Sequence, residues 1–381
     1  MTPAPSPTAI SSEEFTRRRA IARNCMEEAG VDVLLVDHAE FMLWLTGYSV
    51  SETLYRAFLL PLHGDPWFVV RELDAGPCVA QSRLVDPVTF SDDEDPWSQV
   101  AQSLIRRGLA SGTVGADFHS YGFSADTCWR LRALLPDARW ADLSGISDSL
   151  RTVKSPAELH RLASAAAIAD SAMQRIADTV QTGWSVNQVA GLVAAHFLQA
   201  GADSGETGPI GLGSGDIHFL HALRANAPLT PGSMLHVELT PKVACYSARL
   251  MRPVFIGEPA QEVLRAMQTL IALQDAQIRA MKPGVRAADV DAILRQGVLQ
   301  ARLRERYENV TGYTLGLYAR TPRPSDFSSC FTPNANWTLE ENMVFHMYAS
   351  AQGFAFSETV VVTPDGGQRL TQTPRHHISV G

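Results

Sequence analysis

The sequence predicts two domains in series, an α/β domain followed by an α+β domain, and three observations carry that reading. Up to about residue 150, short apolar β-branched runs alternate with helical patterns. Ser155 and Pro156 then offer a cap and a first-turn proline for a long helix, which marks a boundary. Beyond it, helical patterns come first and paired strand patterns follow. The domains are placed at residues 13–152 and 153–381.

Taken in order, the first twelve residues lack a basic segment and an apolar run, so they read as a flexible tail and not as a secretory signal. Ser11 to Glu14 signals a helix start, and residues 15–28 continue without Gly or Pro until Gly30. Residues 31–36, reading VDVLLV, are nearly all apolar, as in a strand buried on both faces. Further strands are expected at 57–62, 67–70 and 113–116, with helices at 96–109 and 125–135. After the boundary, helices are expected at about 156–180 and 185–200, then the Gly-rich stretch 208–216 and strands at 232–240 and 246–257. A helix pair over about 260–304 and strands at 343–350 and 354–363 complete the order. The Gly-rich stretch has neither Gly-x-Gly-x-x-Gly nor Gly-Lys-Ser/Thr, so it reads as a tight strand connection and not as a phosphate loop.

Composition removes several classes of function. The chain has 381 residues, 45% hydrophobic and 19% charged, with a net charge of −8, as in a folded globular protein. No Lys/Arg run gives a footprint for nucleic acid. No apolar run approaches the ~18 residues of a membrane span. The five cysteines are scattered and never form a Cys-x-x-Cys pair, which favours a reducing, cytoplasmic compartment over a disulfide framework or structural zinc.

The run GSMLHVELT at 232–240, followed by YSARLMRPVFIG at 246–257, resembles the pita-bread family of methionine aminopeptidase, prolidase, aminopeptidase P and creatinase. The RTVKSPAE segment at 151–158 resembles the join between that family's two domains. The presence of an N-terminal α/β domain favours the creatinase, prolidase and aminopeptidase P branch. The resemblance implies an α/β N-terminal domain plus an α+β pita-bread catalytic domain, and a homodimer. Metal-dependent members hold two divalent cations with two Asp, one His and two Glu, ligands that suit such ions. Followed along this chain, those positions fall on Glu238, Arg249, Tyr313, Tyr348 and Glu358, of which only Glu358 keeps the family residue. Arg249 puts a permanent cation where a dication is expected. No metal and no cofactor are therefore expected, and Arg249 flanked by Glu238 and Glu358 reads as a buried ion-pair cluster.

Creatinase is the member that works without metal, and its general-base histidine falls on His221, with Asn226 and Gly232 in matching register. An imidazole near pKa ~6.5 suits proton abstraction at neutral pH. Arg56 falls near the place where creatinase presents an arginine to its substrate's carboxylate across a dimer interface, and Arg320 falls in a loop that lines the pocket in relatives. The chain departs from creatinase at Met251, Tyr313, Tyr348 and Glu358, which argues against creatine as the substrate. His236 and His346 alternate with Glu238 and Tyr348 along their strands and so share their faces. Both are read as core or ion-pair residues.

The resemblance implies a metal-independent, creatinase-like enzyme that hydrolyses a C–N bond in a small carboxylate-bearing molecule. His221, Glu238 and Glu358 are the expected catalytic residues, and Arg249, Tyr313, Tyr348, Arg56 and Arg320 the expected substrate contacts. A catalytically inactive binding or assembly protein, and an Xaa-Pro-type peptidase with a reduced metal site, are the alternatives.

Overall fold

The computed structural model describes residues 10–49, 51, 53–213, 218–221, 226, 228–319 and 329–381. The chain divides into two compact units, Met1–Arg151 and Thr152–Gly381.

In the first unit, helix α1 (Ser12–Glu28) starts where the Ser11 hydroxyl accepts the Glu14 N–H, as the Ser-Ser-Glu-Glu signal predicts. Strands β1 (Val33–Val36), β2 (Ala57–Pro61), β3 (Trp67–Arg71), β4 (Val88–Phe90), β5 (Thr113–Ala116) and β6 (Arg139–Asp142) form one sheet in the order β4-β3-β2-β1-β5-β6. β1 lies at its centre, parallel to β5 and antiparallel to β2, and all four of its residues are buried. It starts at Val33 and not at residue 31, because the Val31 N–H is used to close α1 on the Met26 carbonyl. Helices α2 (Ala39–Thr46), α3 (Ala75–Ser82), α4 (Pro96–Arg106), α5 (Ala125–Leu134) and α6 (Ile146–Arg151) complete the unit. The sequence reading missed α2, whose residues are buried nearly all round, so no polar stripe exposes its 3.6-residue period.

The second unit opens with α7 (Pro156–Thr179), whose Ser155 and Glu158 side chains bond reciprocally to each other's backbone N–H as a capping box. Helix α8 (Val186–Gln199) starts on a second such box, Ser185 with Gln188. Strands β7 (Ile210–Leu212), β8 (Met234–Leu239), β11 (Leu250–Ile256), β12 (Gly312–Thr314), β13 (Val344–Ala351) and β14 (Phe354–Thr363) pair in the order β12-β13-β14-β11-β8-β7. The short strands β9 (Lys242–Val243) and β10 (Tyr246–Ser247) form a separate ladder, while β15 (Gly366–Arg369) pairs with β14 and β16 (Ile378–Val380) with β11. Helices α9 (Gln261–Arg279) and α10 (Ala287–Gln300) lie between β11 and β12 in sequence.

Strand alternation decides which side chains meet the helices. Leu235, Val237, Leu239, Leu250 and Val254 pack with the apolar faces of α7 and α8. Phe345, Met347, Ala349, Phe356 and Val360 pack with α9 and α10. All four helices therefore cover one face of the sheet. The residues one step out of phase with that set point to the opposite face, and the functional candidates lie among them.

Candidate active site

Because β8, β11, β14 and β13 are antiparallel neighbours, residues directly opposite one another share a face. Glu238 faces Met251, Met251 faces Ser357, and Ser357 faces Tyr348. One step along, Tyr313 faces His346 and His346 faces Thr359. Arg249, which directly precedes β11, is in phase with Met251. The face away from the helices thus collects Glu238, His236, Arg249, Met251, Ser357, Thr359, Tyr348, His346 and Tyr313.

The Arg249 Nη1 donates to Glu238 Oε1 at 2.9 Å, and Glu238 is only 3% exposed. A paired guanidinium is the arrangement that lets this carboxylate stay buried. Thr359 clamps the Arg249 backbone, its Oγ1 accepting the Arg249 N–H at 2.8 Å and donating to the Arg249 carbonyl at 2.9 Å. The guanidinium carbon lies 5.6 Å from the centre of the Tyr313 ring, within cation–π range. Tyr313 in turn meets His346 and Tyr348 edge-on. Tyr348 Oη accepts from Asn309 Nδ2 at 3.1 Å, and burial pushes its phenol up to about 12, so it remains protonated and able to donate.

Arg249 also lines a cavity of about 250 Å³ whose wall includes Lys242, Glu206, Thr240, Ser247 and Tyr318. Lys242 Nζ lies 3.3 Å from Glu206 Oε2. Gly208 belongs to the same wall, and a Cβ there would stand 2.5 Å from the Glu238 carbonyl oxygen. That close approach explains glycine at the start of this strand connection.

The expected cluster of Arg249 between Glu238 and Glu358 does not form, because Glu358 lies on the other face of the sheet. It stands opposite Met347, among the residues that meet the helices, and is fully buried. Its carboxylate lies 2.8 Å from Arg252 Nη2, 3.3 Å from Arg375 Nε and 3.5 Å from Arg369 Nη1, and accepts the Thr371 hydroxyl. Arg252 also donates to the Ser357, Thr373 and Pro374 carbonyls, tying β14 to the C-terminal segment. Glu358 is therefore a structural anchor, and Ser357 is the residue that β14 turns toward Glu238 and Tyr348.

His221 closes a 3-10 turn, His218–His221, and its side chain is exposed. Phe219 of the same turn is buried and meets the His236 ring edge-on at 5.0 Å. Arg56 belongs to the first unit, where it is buried and donates to the Asp37 carbonyl at 3.0 Å. Arg320 lies outside the described residues.

Sequence reasoning passed over Ser357 and Lys242, and gave His236 and His346 a core or ion-pair role. Both histidines are buried, and among the described residues no ion pair or hydrogen bond reaches either ring. Burial pushes His236 down to about 3 and His346 well below the usual imidazole range. The signal for Ser357 was present in the sequence: with Gln352 and Gly353 as a two-residue turn, Ala351 faces Phe354 and hence Tyr348 faces Ser357.

The side chains on this face do not fit two divalent cations. Of the five expected ligand positions Glu358 lies on the other face, so Glu238 is the one carboxylate of the set on this face, and it is already bonded to the Arg249 guanidinium. The Tyr313 and Tyr348 phenols, with the Ser357 hydroxyl beside them in place of Glu358, are a weak set for hard dications. Among the described residues no group of three or more His, Cys, Asp or Glu side chains is arranged to hold a metal.

Residues 160–364 match the model of metallopeptidase family M24, and residues 18–153 match that of the creatinase/prolidase N-terminal domain. The chain is 26% identical to an ectoine hydrolase of Halomonas elongata, covering 96% of this chain and 97% of that protein. It is 24% identical to an Xaa-Pro dipeptidase of Lactobacillus delbrueckii subsp. lactis, over 93% of this chain and 96% of the other. The solved prolidase from Thermococcus sibiricus superposes with a TM-score of 0.83 at 20% identity, covering 97% of this chain and 100% of that one.

Proposed function

This chain belongs to metallopeptidase family M24, with a creatinase/prolidase N-terminal domain ahead of the family domain, and from that premise we propose that it is a metal-independent hydrolase of a non-peptide C–N bond in a small carboxylate-bearing molecule. The observation that carries this reading is Arg249. It stands at a ligand position of the family's metal site, is paired with Glu238, and lines a cavity of about 250 Å³ alongside Lys242. A guanidinium matches a carboxylate in geometry and charge where it repels a metal ion. Full-length similarity to an ectoine hydrolase supports a substrate outside the peptides.

In this reading His221 takes a proton from water as the water oxygen bonds to the substrate carbon. The Tyr348 and Tyr313 hydroxyls donate to the oxygen or nitrogen on which negative charge develops. The C–N bond then breaks, and the proton held by His221 passes to the departing nitrogen. Glu238 holds Arg249 in place for the carboxylate. Glu358 has no part in these steps, because it lies on the far face of the sheet.

Two measurements test the proposal. N-acetylglycine and glycyl-proline are offered as substrates to protein purified without chelator, with metal content read by elemental analysis. The expected result is turnover of the non-peptide alone, under about 0.1 equivalent of bound transition metal, and loss of turnover in His221→Ala. Dipeptide hydrolysis that EDTA abolishes, with one or more equivalents of metal, would overturn the reading.

A further inference from the structure

Three polar side chains on the site face, His236, His346 and Ser357, share an unusual condition. Their relative exposures are 1%, 0% and 0%. Among the described residues, both ring nitrogens of His236, both of His346, and Ser357 Oγ have no hydrogen-bond partner. Buried polar groups in folded proteins are almost always bonded, and leaving one unbonded carries a substantial penalty. Aromatic neighbours hold both rings: Phe219 meets His236 edge-on at 5.0 Å, while Tyr348 stacks on His346 at 5.2 Å and Tyr313 meets it edge-on at 5.0 Å. None of these contacts gives the ring nitrogens a partner. Ser357 lies in the row of Glu238, Met251, Ser357 and Tyr348, and His236 and His346 stand two residues from its ends, on β8 and β13, on the face that also presents Arg249.

We propose that His236, His346 and Ser357 form the subsite that receives the substrate's scissile group, and that this group is a neutral secondary amide. The inference rests on the reading of the protein as a hydrolase of a carboxylate-bearing molecule, and it names the substrate class: small N-acylated amino acids and lactam acids. The chemistry follows from what the three side chains offer. A neutral imidazole has one N–H donor and one bare nitrogen acceptor, and a serine hydroxyl can do either job. Together they present donors and acceptors with no net charge. A guanidinium or ammonium would use the acceptors and leave the donors unbonded. A carboxylate or ester would use the donors and leave the acceptors unbonded. A secondary amide, with one N–H and one C=O, uses both. The carboxylate of the same molecule goes to Arg249, whose charge suits it, so the two recognition tasks fall to different residues.

The experiment uses three glycine-sized carboxylates that differ only in the second group: N-acetylglycine, O-acetylglycolate and guanidinoacetate. Their affinities for the full-length protein are measured by calorimetry, alongside His236→Leu, His346→Leu and Ser357→Ala. In the wild type, N-acetylglycine binds at least about tenfold tighter than either of the others. In the variants that margin shrinks to under about threefold, while affinity for O-acetylglycolate changes little. Removing an unbonded buried polar group does not unfold a protein, so the two leucine variants keep or raise Tm. A second measurement needs no variant. The imidazole nitrogen resonances of 15N-histidine-labelled protein shift for two rings on adding N-acetylglycine, and stay in place with guanidinoacetate.

If amide and ester bind alike in the wild type, the subsite holds only ordered water and the inference is overturned while the hydrolase reading stands. It is overturned in the same way if the variants keep the amide preference, or if Tm falls and all three ligands weaken together. If none of the three carboxylates binds the wild type, the carboxylate reading itself fails and this inference falls with it.

Discussion

At the scale of single residues, two charges that the sequence places together are separated by a sheet. Glu238 and Arg249 form a pair on the site face, while Glu358 sits on the helix side within reach of Arg252, Arg369 and Arg375. Their substitutions should therefore fail in different ways. Glu358→Gln leaves buried arginines without their counter-charge and lowers stability by about 3 kcal/mol. Thermal unfolding reports that loss, and KM of the folded enzyme stays unchanged. Arg249→Met removes a charge-assisted contact worth about 1.5–3 kcal/mol, so KM for a carboxylate substrate rises roughly 10- to 100-fold. It also leaves Glu238 buried and unpaired. Adding Glu238→Gln restores melting temperature but not KM, and steady-state kinetics alongside melting curves of both variants checks this.

At the scale of elements, helix starts were the most legible features of the chain. Ser155, Pro156 and Glu158 declare the start of α7, because a cap is local chemistry that needs only three or four residues. Glu158 does more than the sequence shows: its Oε1 also accepts the Tyr246 hydroxyl at 2.8 Å, linking α7 to β10. Ser155→Ala should cost about 1 kcal/mol, and Glu158→Ala more, since it removes the reciprocal cap bond and the tyrosine's partner together. Urea denaturation of the two variants ranks them, and equal losses would mean that the Tyr246 bond contributes nothing. The strands were legible as strands, yet their facing was not. In β14 a shift of one residue exchanges Ser357 for Glu358, and the motif points to whichever carboxylate is present. Alternation supplies the right answer only when the turn at Gln352 and Gly353 is used to set register.

At the scale of the whole molecule, the two units should respond to acid in opposite directions. His236 and His346 have folded pKa values below the unfolded ~6.5, the first at about 3, owing to burial. The unfolded chain therefore takes up these protons first as pH falls. Their contribution to stability is complete above pH ~6.5 and is lost as pH drops from there toward 3, at up to about 1.4 kcal/mol per pH unit for each group. In the first unit, Asp37 has a folded value raised to about 6 by burial, and Asp148 is raised for the same reason. The folded state holds those protons longer, so these two groups stabilise that unit as pH falls from 7 to 5, while Glu14, held at about 2 by Arg17, opposes them only below its ordinary range near 4.5. Hydrogen exchange at pH 7 and 5, corrected for intrinsic rates, should show protection in β8 and β13 falling while β1 and β5 hold or gain. A parallel decline in both units would contradict the assignment.

The sequence by itself determined the order of the main elements and the membership of one family. Those are properties of local patterns: caps, apolar periods and short motifs act over a few residues. Only the tertiary structure decided which side chains meet. Strand register put Glu358 with the arginines and Ser357 with the site, and it set His236 and His346 among aromatic rings without a hydrogen-bond partner among the described residues. The turn at Gln352 and Gly353 sets Ser357 against Tyr348 locally, but bringing that pair to Glu238 and Arg249 depends on pairing between segments more than a hundred residues apart, from β8 to β14, and no local pattern records that distance.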